Sequence, residues 1–401
     1  MEEAGAGSNG EPREPAARSR TKHRLLFLVN TDWYFLSHRL PIARAARDAG
    51  FRVSVVTRVG SQGEALRREG FEVVPIRMGR ALGNPVLEGR SLAEILRATM
   101  RIRPDLVHNV SLKCVLYGTV AARVAGVRSV INTLPGLGYV FRSRQWRARL
   151  LRPFGRLAFR ALLRGRATRV IVQNGDDLAF LRAEGLVPAG NLVLIRGSGV
   201  DTSRFRPAPE PTGTITITMV SRMLWDKGVA ELVEAAGELK ASGRAVRVVL
   251  VGAPDPENPG SVPAQRLEEW ARAGQIEWSG AREDIPRVWA DSHIAVLPTY
   301  YGEGLPKSLL EAASCARAIV AADVPGCREI VRHGENGLLV PPRDARSLAK
   351  AIERLIDEPS LRKQMGARGR EIVESEFSEE IVVARTLEVY RELLESRDPG
   401  R

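Results

Sequence analysis

The sequence contains little cysteine, and its few cysteines form no recognisable framework. Only three occur among 401 residues: Cys114, Cys315 and Cys327. Their spacing fits neither a zinc site nor a set of paired disulfides. Cys114 and Cys315 lie in apolar segments, where a free cysteine is usually a small core residue. We therefore expect a protein of a reducing compartment, the cytoplasm.

Long apolar runs are also lacking. No stretch approaches the roughly 18 consecutive apolar residues that a transmembrane helix needs, so the sequence predicts no such helix. The first residues are rich in Glu, Gly, Ala, Pro and Arg and contain no apolar core, which argues against a signal peptide. We expect residues 1–21 to form a disordered leader.

The first half of the chain is poor in acidic residues. Residues 21–205 contain 31 Lys and Arg against 12 Asp and Glu, a net charge of +19, whereas residues 206–401 contain 26 against 31. This asymmetry predicts an anionic partner for the first half. No helix-turn-helix, zinc or ribonucleoprotein signature accompanies the charge, which favours an anionic membrane surface over nucleic acid.

One segment, Phe141–Arg169, concentrates the positive charge. It contains ten arginines and no acidic residue, with Trp146, Phe154 and Phe159 among them. This composition is typical of an interfacial helix whose apolar side chains enter the headgroup layer while arginines meet anionic lipid. The alternative is a solvated helix that packs its apolar side on its own lobe. Pro153 is expected to break the segment in two.

Short β-rich runs alternate with helical stretches along most of the chain. This alternation indicates parallel sheets covered by helices, an α/β fold class. The pattern restarts at Gly213 after the loop R-P-A-P-E-P-T, whose prolines mark a linker. We expect two Rossmann-like lobes, residues 22–205 and 206–375. A last helix, capped by Ser378, and a tail complete the chain over residues 376–401.

The stretch Tyr301–Glu311, Y-G-E-G-L-P-K-S-L-L-E, joins a predicted buried strand to a predicted helix. Pro306 suits the first helical position, which leaves the amides of Gly304, Leu305 and Lys307 free to attract a diphosphate. Glu303 and Glu311 are poor phosphate ligands but good acceptors for pairs of sugar hydroxyls. The combination suggests a nucleotide sugar; the alternative is an ordinary turn with two solvated glutamates.

A second basic element follows another predicted strand. Arg222 comes directly after that strand, and Lys227 precedes Gly228 at the start of a helix. Both cations can reach the carboxyl edge of a sheet, where ligands of open α/β sheets bind. Two cations near a helix N-terminus would neutralise a diphosphate leaving group.

Four motifs along the chain fit one pattern. They are S-R-M-L-W-D-K-G at Ser221–Gly228, E-G-L-P-K-S-L-L-E at Glu303–Glu311, D-V-P-G-C-R-E-I-V at Asp323–Val331 and G-S-G-V-D at Gly197–Asp201. Together they resemble family 4 of the retaining GT-B glycosyltransferases, over roughly Arg24 to Tyr390. The resemblance implies the GT-B fold, with two parallel sheets facing one cleft and a C-terminal helix that crosses back to the first lobe.

The resemblance also implies roles. Glu303 would bind donor sugar hydroxyls and Glu311 ribose hydroxyls, while Arg222 and Lys227 hold the diphosphate. Gly304, Leu305, Pro306 and Lys307 would line the donor site. Retention in this family needs no protein nucleophile, which agrees with the absence of a carboxylate pair like that of retaining glycosidases. No D-x-D element stands in the expected place, so we expect neither a metal nor any other cofactor.

The first predicted strand leads into N-T-D-W-Y-F-L-S-H-R-L-P. This string resembles a subgroup that transfers N-acetylated or related hexoses onto polyprenyl-diphosphate-linked sugars. Many family members have a Gly-rich loop here, and Asp32, Trp33 and Tyr34 replace it, which puts backbone contact to phosphate in doubt. Trp33 is a candidate for stacking on an acceptor sugar or, equally, a rim aromatic.

Two histidines lie near the expected cleft. His108 ends a strand at which the family often has a histidine and is a candidate catalytic residue; His38 lies in the helix after the first strand. Each has packing as its alternative role. Many family members carry, after the next strand, a histidine that contacts the donor sugar. This chain has Pro135 there, so we expect Asn132 and the backbone around Gly136 and Gly138 to take over that contact.

We expect a cytoplasmic enzyme, peripheral on the inner face of the membrane, that moves a hexose from a UDP-sugar to a polyprenyl-diphosphate-linked acceptor. Backbone groups near Gly280 to Arg282 would read the base. Three alternatives stay open. A hydrolysing nucleotide-sugar 2-epimerase would act without an acceptor. A nicotinamide oxidoreductase would need a G-x-G-x-x-G that does not follow the first strand. A non-catalytic binder of anionic glycolipid or nucleic acid would leave Glu303 and Glu311 without a role.

Overall fold

The computed structural model describes residues 23–79, 84–137, 146–302 and 304–396. The first lobe is built on a seven-stranded sheet in which every neighbouring pair is parallel, in the order β3-β2-β1-β4-β5-β6-β7. Its strands are β1 Arg24–Thr31, β2 Arg52–Arg58, β3 Glu72–Pro75, β4 Leu106–Val110, β5 Ser129–Leu134, β6 Thr168–Val172 and β7 Leu192–Leu194.

Helices cover both faces of this sheet. They are α1 Asp32–His38, α2 Leu40–Asp48, α3 Gly63–Arg68, α4 Pro85–Ile102, α5 Leu112–Val124, α6 Trp146–Leu162 and α7 Gly175–Ala183. The central strands are apolar on both sides, as buried parallel strands must be. One face of β1 packs Leu25 and Phe27 in one core cluster, and the other packs Leu26 and Leu28 in a second.

The second lobe repeats the design with six parallel strands, in the order β10-β9-β8-β11-β12-β13. The strands are β8 Ile215–Val220, β9 Val246–Val251, β10 Glu277–Trp278, β11 Ile294–Leu297, β12 Ala318–Ala322 and β13 Gly337–Val340. The helices are α8 Val229–Ala241, α9 Ala264–Arg272, α10 Ile285–Ala290, α11 Lys307–Ser314, α12 Cys327–Ile330, α13 Ala345–Asp357 and α14 Pro359–Ile372.

The last helix, α15 (Glu379–Glu395), returns to the first lobe. Its buried residues join the core cluster of β1 and α2; they are Val382, Leu387, Val389, Tyr390 and Leu393. The chain therefore passes between the lobes twice, at Val200 and at Phe377–Glu379. These two passages are hydrogen-bonded to each other, Val200 N to Phe377 O at 3.1 Å and Glu379 N to Val200 O at 3.1 Å. The expected crossover helix and the GT-B architecture are confirmed.

The arginine-rich segment differs from its prediction. Residues 138–145 lie outside the described part, but α6 runs from Trp146 to Leu162 with Pro153 inside it, so the predicted break at Pro153 is wrong. A proline in a helix removes one hydrogen bond, and packing offsets that loss here. Phe159, expected at the membrane, is 1% exposed in a cluster with Leu163 and Leu181.

Two arginines of α6 are held by their own lobe. Arg156 pairs with Glu184 at 2.6 Å, and Arg160 donates to the carbonyl of Glu184 at 2.8 Å. Phe154 and Leu157 remain exposed, at 73% and 68%. The outer face of α6 is therefore both apolar and basic. Within the described ranges, no helix has the length and apolar character needed to cross a bilayer.

His108 lies in the core of the first lobe, and its predicted catalytic role is wrong. The side chain is 0% exposed, its Nδ1 lies 2.6 Å from the Tyr390 hydroxyl and its Nε2 lies 2.7 Å from Thr133 Oγ1. Burial holds the pKa of His108 well below its usual value. With both ring nitrogens satisfied and no surface open to a substrate, His108 fastens α15 to β4 and β5.

Tyr390→Phe should destabilise the protein by about 1–3 kcal/mol, because it leaves a buried imidazole nitrogen without its partner. Urea denaturation of the variant and the wild type measures this difference. The transfer rate per folded molecule should stay unchanged. If Tyr390→Phe kept normal stability but lost activity, a purely structural role for His108 would be contradicted and a catalytic role supported.

Candidate active site

The carboxyl edges of the two sheets face each other, and side chains from both lobes meet between them. Asn174, which follows β6, donates its Nδ2 to the carbonyl of Gly304 at 3.1 Å. Lys307 Nζ, at the start of α11, donates to the carbonyl of Ser37 at 2.5 Å. Ligands of parallel α/β sheets bind at this edge. The candidate active site therefore lies in the gap between the lobes.

The loop before α11 has the open amides that its sequence predicts. Pro306, predicted at the first helical position, is the N-cap, and the helix begins one residue later, at Lys307. Leu309 and Leu310 donate to the carbonyl of Pro306. The amides of Gly304, Leu305 and Lys307 donate to no residue in the described part of the chain. The start of α11 is therefore able to bind an anion.

Gly304 is required by a close approach to the first lobe. A Cβ at this residue would lie 1.8 Å from the carbonyl oxygen of Pro135 and 2.5 Å from Gln173 Oε1. Leu305 makes the next contact, since a Cβ on Gly197 would lie 2.6 Å from its Cδ2. The loop thus rests against the ends of β5 and β6, and the anion site lies where the lobes touch.

Glu311 is a buried carboxyl and not a solvated glutamate. It is 9% exposed on the second turn of α11. Burial raises its pKa to about 7, although Lys307 and Arg204 act in the opposite direction, and Glu379 adds to the rise. Hydrogen bonds from a ligand would offset part of the desolvation of a carboxyl at this depth. The position suits acceptance of hydroxyl hydrogens.

Arg222 and Lys227 both lie at the carboxyl edge of β8. Arg222 Nη1 is held by Asp255 Oδ2 at 2.7 Å, and Asp255 is itself nearly buried. Asp255, in the loop after β9, was missed by the sequence analysis because D-P-E-N-P-G reads as an ordinary turn. It fixes the direction of the Arg222 guanidinium while leaving other N–H groups to donate.

Lys227 ends a 3₁₀ turn, Trp225–Lys227, just before α8. The neighbouring Gly228 has φ +80° and lies so close to the end of β11 that a Cβ would be 2.2 Å from the carbonyl of Pro298. The turn is also bonded to the segment before Glu303, since Thr299 Oγ1 donates to the carbonyl of Asp226 at 2.9 Å. These contacts bring the two predicted elements together.

Arg282 follows β10 at the same edge, but its guanidinium is occupied. Nε lies 2.7 Å from Asp284 Oδ1, and both side chains are well exposed. The neighbouring Gly280 carbonyl accepts from Gly252 N at 2.7 Å, which ties this loop to the end of β9. The backbone of Arg282, and not its side chain, is thus available to contact a nucleotide base. The same was expected for the stretch from Gly280 to Arg282.

The loop after β1 carries a helix where many family members have glycines. Asp32 starts α1, and its carboxylate accepts from the amides of Gly60 and Gln62 at 2.7 and 2.9 Å. It therefore braces the loop after β2, and its negative charge disfavours a phosphate at this position. Trp33 is 39% exposed and meets Tyr34 edge-on at 5.9 Å. Trp33 stays a candidate for contact with an acceptor.

The remaining predicted site residues are Glu303, Gly138 and Asn132. Glu303 and Gly138 lie outside the described residues. Asn132 is fully buried, and its Oδ1 accepts from Asn109 and Thr119, so it belongs to the core and is not a donor-sugar ligand. In the described part of the chain, no group of three or more His, Cys, Asp and Glu side chains is placed to hold a metal ion.

Two family models match the chain, one in each lobe. The model described as "Glycosyl transferase 4-like" matches residues 24–174, and the model described as "Glycosyl transferases group 1" matches residues 214–358. These ranges contain β1 to β6 of the first sheet and all six strands of the second.

Curated relatives and a solved structure are similar over most of their lengths. The N,N'-diacetylbacillosaminyl-diphospho-undecaprenol alpha-1,3-N-acetylgalactosaminyltransferase of Campylobacter jejuni is 27% identical over 390 residues, 93% of this chain and 100% of its own. The UDP-Gal:alpha-D-GlcNAc-diphosphoundecaprenol alpha-1,3-galactosyltransferase of Escherichia coli is 25% identical over 283 residues, 68% of this chain and 71% of its own. Anabaena HepE, in complex with UDP and glucose, aligns with a TM-score of 0.74 at 18% identity, covering 92% of this chain and 99% of its own. The chain therefore belongs to the family 4 (group 1) glycosyltransferases and has their GT-B fold.

Proposed function

We propose that the protein is a retaining glycosyltransferase that moves a hexose or N-acetylhexosamine from a UDP-sugar to a sugar carried on a polyprenyl diphosphate. The observation that carries this proposal is the arrangement around α11, where open amides, a buried Glu311 and the cations at β8 share one edge. The activities of the two curated relatives, both on diphosphoundecaprenol-linked sugars, support the acceptor class.

In this scheme the diphosphate of the donor lies on the amides of Leu305 and Lys307, with Arg222 and Lys227 neutralising its charge. Such preorganised donors stabilise the charge that develops on the leaving group. Glu311 accepts from the ribose hydroxyls and Glu303 from those of the donor sugar. The backbone near Arg282 meets the base. The cations make a divalent ion unnecessary, so transfer should survive chelation by EDTA.

The acceptor enters from the first lobe, and its lipid keeps the enzyme at a membrane. The outward face of α6 presents Phe154 and Leu157, and Arg164, just after the end of this helix, is also exposed. This face would lie in the headgroup layer of an anionic bilayer. We place the protein on the cytoplasmic face of the cell membrane, where it binds peripherally.

The donor site is tested by Lys227→Ala and Glu311→Ala. Each should lower kcat/KM for the UDP-sugar by about 2–4 kcal/mol in transition-state terms, because a charged contact to the donor is lost. A thermal-shift panel of UDP-sugars selects the donor, and initial rates under donor-limiting conditions give the effect. Lys350→Ala and Glu268→Ala, at exposed positions on α13 and α9, are matched controls. Wild-type turnover in both site variants would contradict the assignment, and consumption of donor without acceptor would indicate an epimerase.

The pKa of Glu311 predicts how donor affinity depends on pH. Its carboxylate must be ionised to accept the ribose hydroxyls, whereas burial raises its pKa to about 7 in the free protein. UDP should therefore bind with release of a proton below pH 7. Its affinity should rise with pH by up to about tenfold per pH unit and level off above 7. Calorimetry at several pH values and in two buffers measures both effects. Glu311→Gln should bind UDP weakly at every pH, without this slope; an equal slope in wild type and variant would assign it to another group.

Membrane docking is tested on two sets of substitutions. Phe154→Ser with Leu157→Ser removes the exposed apolar residues. A second variant changes to Gln four arginines of the Phe141–Arg169 segment, namely Arg147, Arg149, Arg152 and Arg164, and keeps Arg156 and Arg160, which contact Glu184. Both should reduce co-sedimentation with anionic liposomes, since each arginine near such a surface contributes about 1 kcal/mol. Both should slow transfer to a lipid acceptor more than to a short soluble analogue.

The control removes equal charge from the other lobe. It changes to Gln four exposed cations: Arg272, Arg346, Lys350 and Lys363. This variant should sediment with anionic liposomes as the wild type does. Equal binding of the wild type to neutral and anionic vesicles, or binding to neither, would show that α6 serves folding or another partner.

A further inference from the structure

The C-terminal end of α1 lies against the helix that carries the donor site. The carbonyl of Ser37 accepts from Lys307 Nζ at 2.5 Å, and His38 is the next residue. The charges of Lys307, Arg39 and Arg222 all act on the His38 imidazole. His38 therefore borders the cleft from the first lobe, opposite the cations that hold the donor diphosphate.

The hydrogen bonds around His38 assign its tautomer. Nδ1 lies 2.5 Å from Ser37 Oγ, and Ser37 Oγ donates to the carbonyl of Tyr34 at 3.4 Å. A serine hydroxyl has one hydrogen, so when it is directed to Tyr34 its oxygen accepts from Nδ1–H. Nε2 then carries the lone pair. It makes no hydrogen bond to any described residue, and, although the His38 side chain is half-buried, this nitrogen is not completely enclosed by protein.

The ring is both fixed and neutral. It stacks on Tyr34 with centroids 4.2 Å apart and planes inclined by 5°. Burial, followed by the charges of Lys307, Arg39 and Arg222, lowers the pKa of His38 to about 3. A proton on Nε2 would be disfavoured among these cations, so the imidazole accepts hydrogen bonds near neutral pH and does not retain a proton.

We propose that Nε2 of His38 accepts a hydrogen bond from the attacking hydroxyl of the acceptor sugar and so directs a lone pair of that oxygen at the anomeric carbon. This assignment rests on the proposed glycosyltransferase reaction. As the new bond from oxygen to the anomeric carbon forms, the bond from that carbon to the diphosphate breaks and its electron pair leaves with UDP. The hydroxyl hydrogen is shared between Nε2 and an oxygen of the departing diphosphate, and it passes to that oxygen as the bond from the anomeric carbon to the diphosphate breaks. His38 holds the nucleophile and is not the final base.

His38→Phe provides the test, because phenylalanine keeps a ring for stacking on Tyr34 and removes Nε2. The probe is a short-chain polyprenyl diphosphate carrying one N-acetylhexosamine, with the UDP-sugar that the donor panel selects. His38→Phe should lower kcat/KM for the acceptor about ten- to hundredfold, as expected for one lost hydrogen bond. The Kd for UDP should change less than about twofold. His38→Gln, which places an amide near Nε2, should restore part of the rate.

The matched control is His23→Phe, at the amino end of β1, where the ring packs beside Phe51 at 6.0 Å. It should leave transfer and UDP binding unchanged. With saturating donor, kcat of the wild type should show no acid limb near the ordinary histidine pKa of 6.5. An acid limb that disappears in His38→Phe would overturn the proposal by making His38 the proton acceptor.

The remaining outcomes separate this assignment from the proposed function. Normal transfer by His38→Phe would overturn the role of His38 and leave the glycosyltransferase reaction standing. Loss of UDP affinity equal to the loss of rate would also overturn it, because His38 would then serve the donor site or the fold. A wild-type protein without affinity for any UDP-sugar would overturn the proposed function, and the His38 assignment with it.

Discussion

The site depends on one close contact, that of the Gly304 backbone with the first lobe. No side chain fits there, because a Cβ would lie 1.8 Å from the Pro135 carbonyl oxygen. This contact sets the start of α11 against the ends of β5 and β6, and Asn174 secures it through the Gly304 carbonyl. The open amides of α11 therefore face the gap between the lobes and not bulk water, so charges placed there interact strongly.

The charges around that gap are balanced by partners of different kinds. Asp255 holds Arg222, whereas the hydrogen bond of Lys307 across the lobes is to a neutral carbonyl, that of Ser37. Glu329 does the reverse: its carboxylate comes from the second lobe, accepts from Gly175 N at the start of α7, and pairs with Arg196 at 2.8 Å. Among the contacts that join the lobes are thus one cation on a carbonyl and one carboxylate on a helix start. Both are contacts that a change of lobe angle would break.

Much of the fold follows from patterns that are local in sequence. The apolar run Gly337–Val340 forms a strand, and Pro359 begins α14 directly after α13, as a proline at the first helical position favours. The three-residue β7, Leu192–Leu194, was not predicted, because so short a strand has no periodicity of its own. The break at Pro153 was wrong because tertiary packing of Phe159 outweighs one missing hydrogen bond.

The parts of the site that are formed by consecutive residues could be predicted from the sequence. The open amides before α11 and the cations after β8 follow from strand–loop–helix order. The role of Asp255 and the burial of His108 cannot be predicted in this way, because each depends on a partner that is far away in the sequence. His108 ends a strand as a catalytic histidine might, and only the position of Tyr390, on a helix 282 residues later, shows that it is a core residue.

The return of α15 also determines where the lobes can move. Val200 and Phe377–Glu379 are bonded side by side, and a Cβ on Gly199 would lie 2.7 Å from Glu379 Cα. Because α15 is fixed in the first-lobe core through Tyr390, it moves with that lobe, and any change of angle must be taken up at these two adjacent passages. A π-helical turn, Val373–Phe377, directly precedes the second passage. Single π-helical turns are rare within α-helices, and this one joins α14 to the passage that leads into α15.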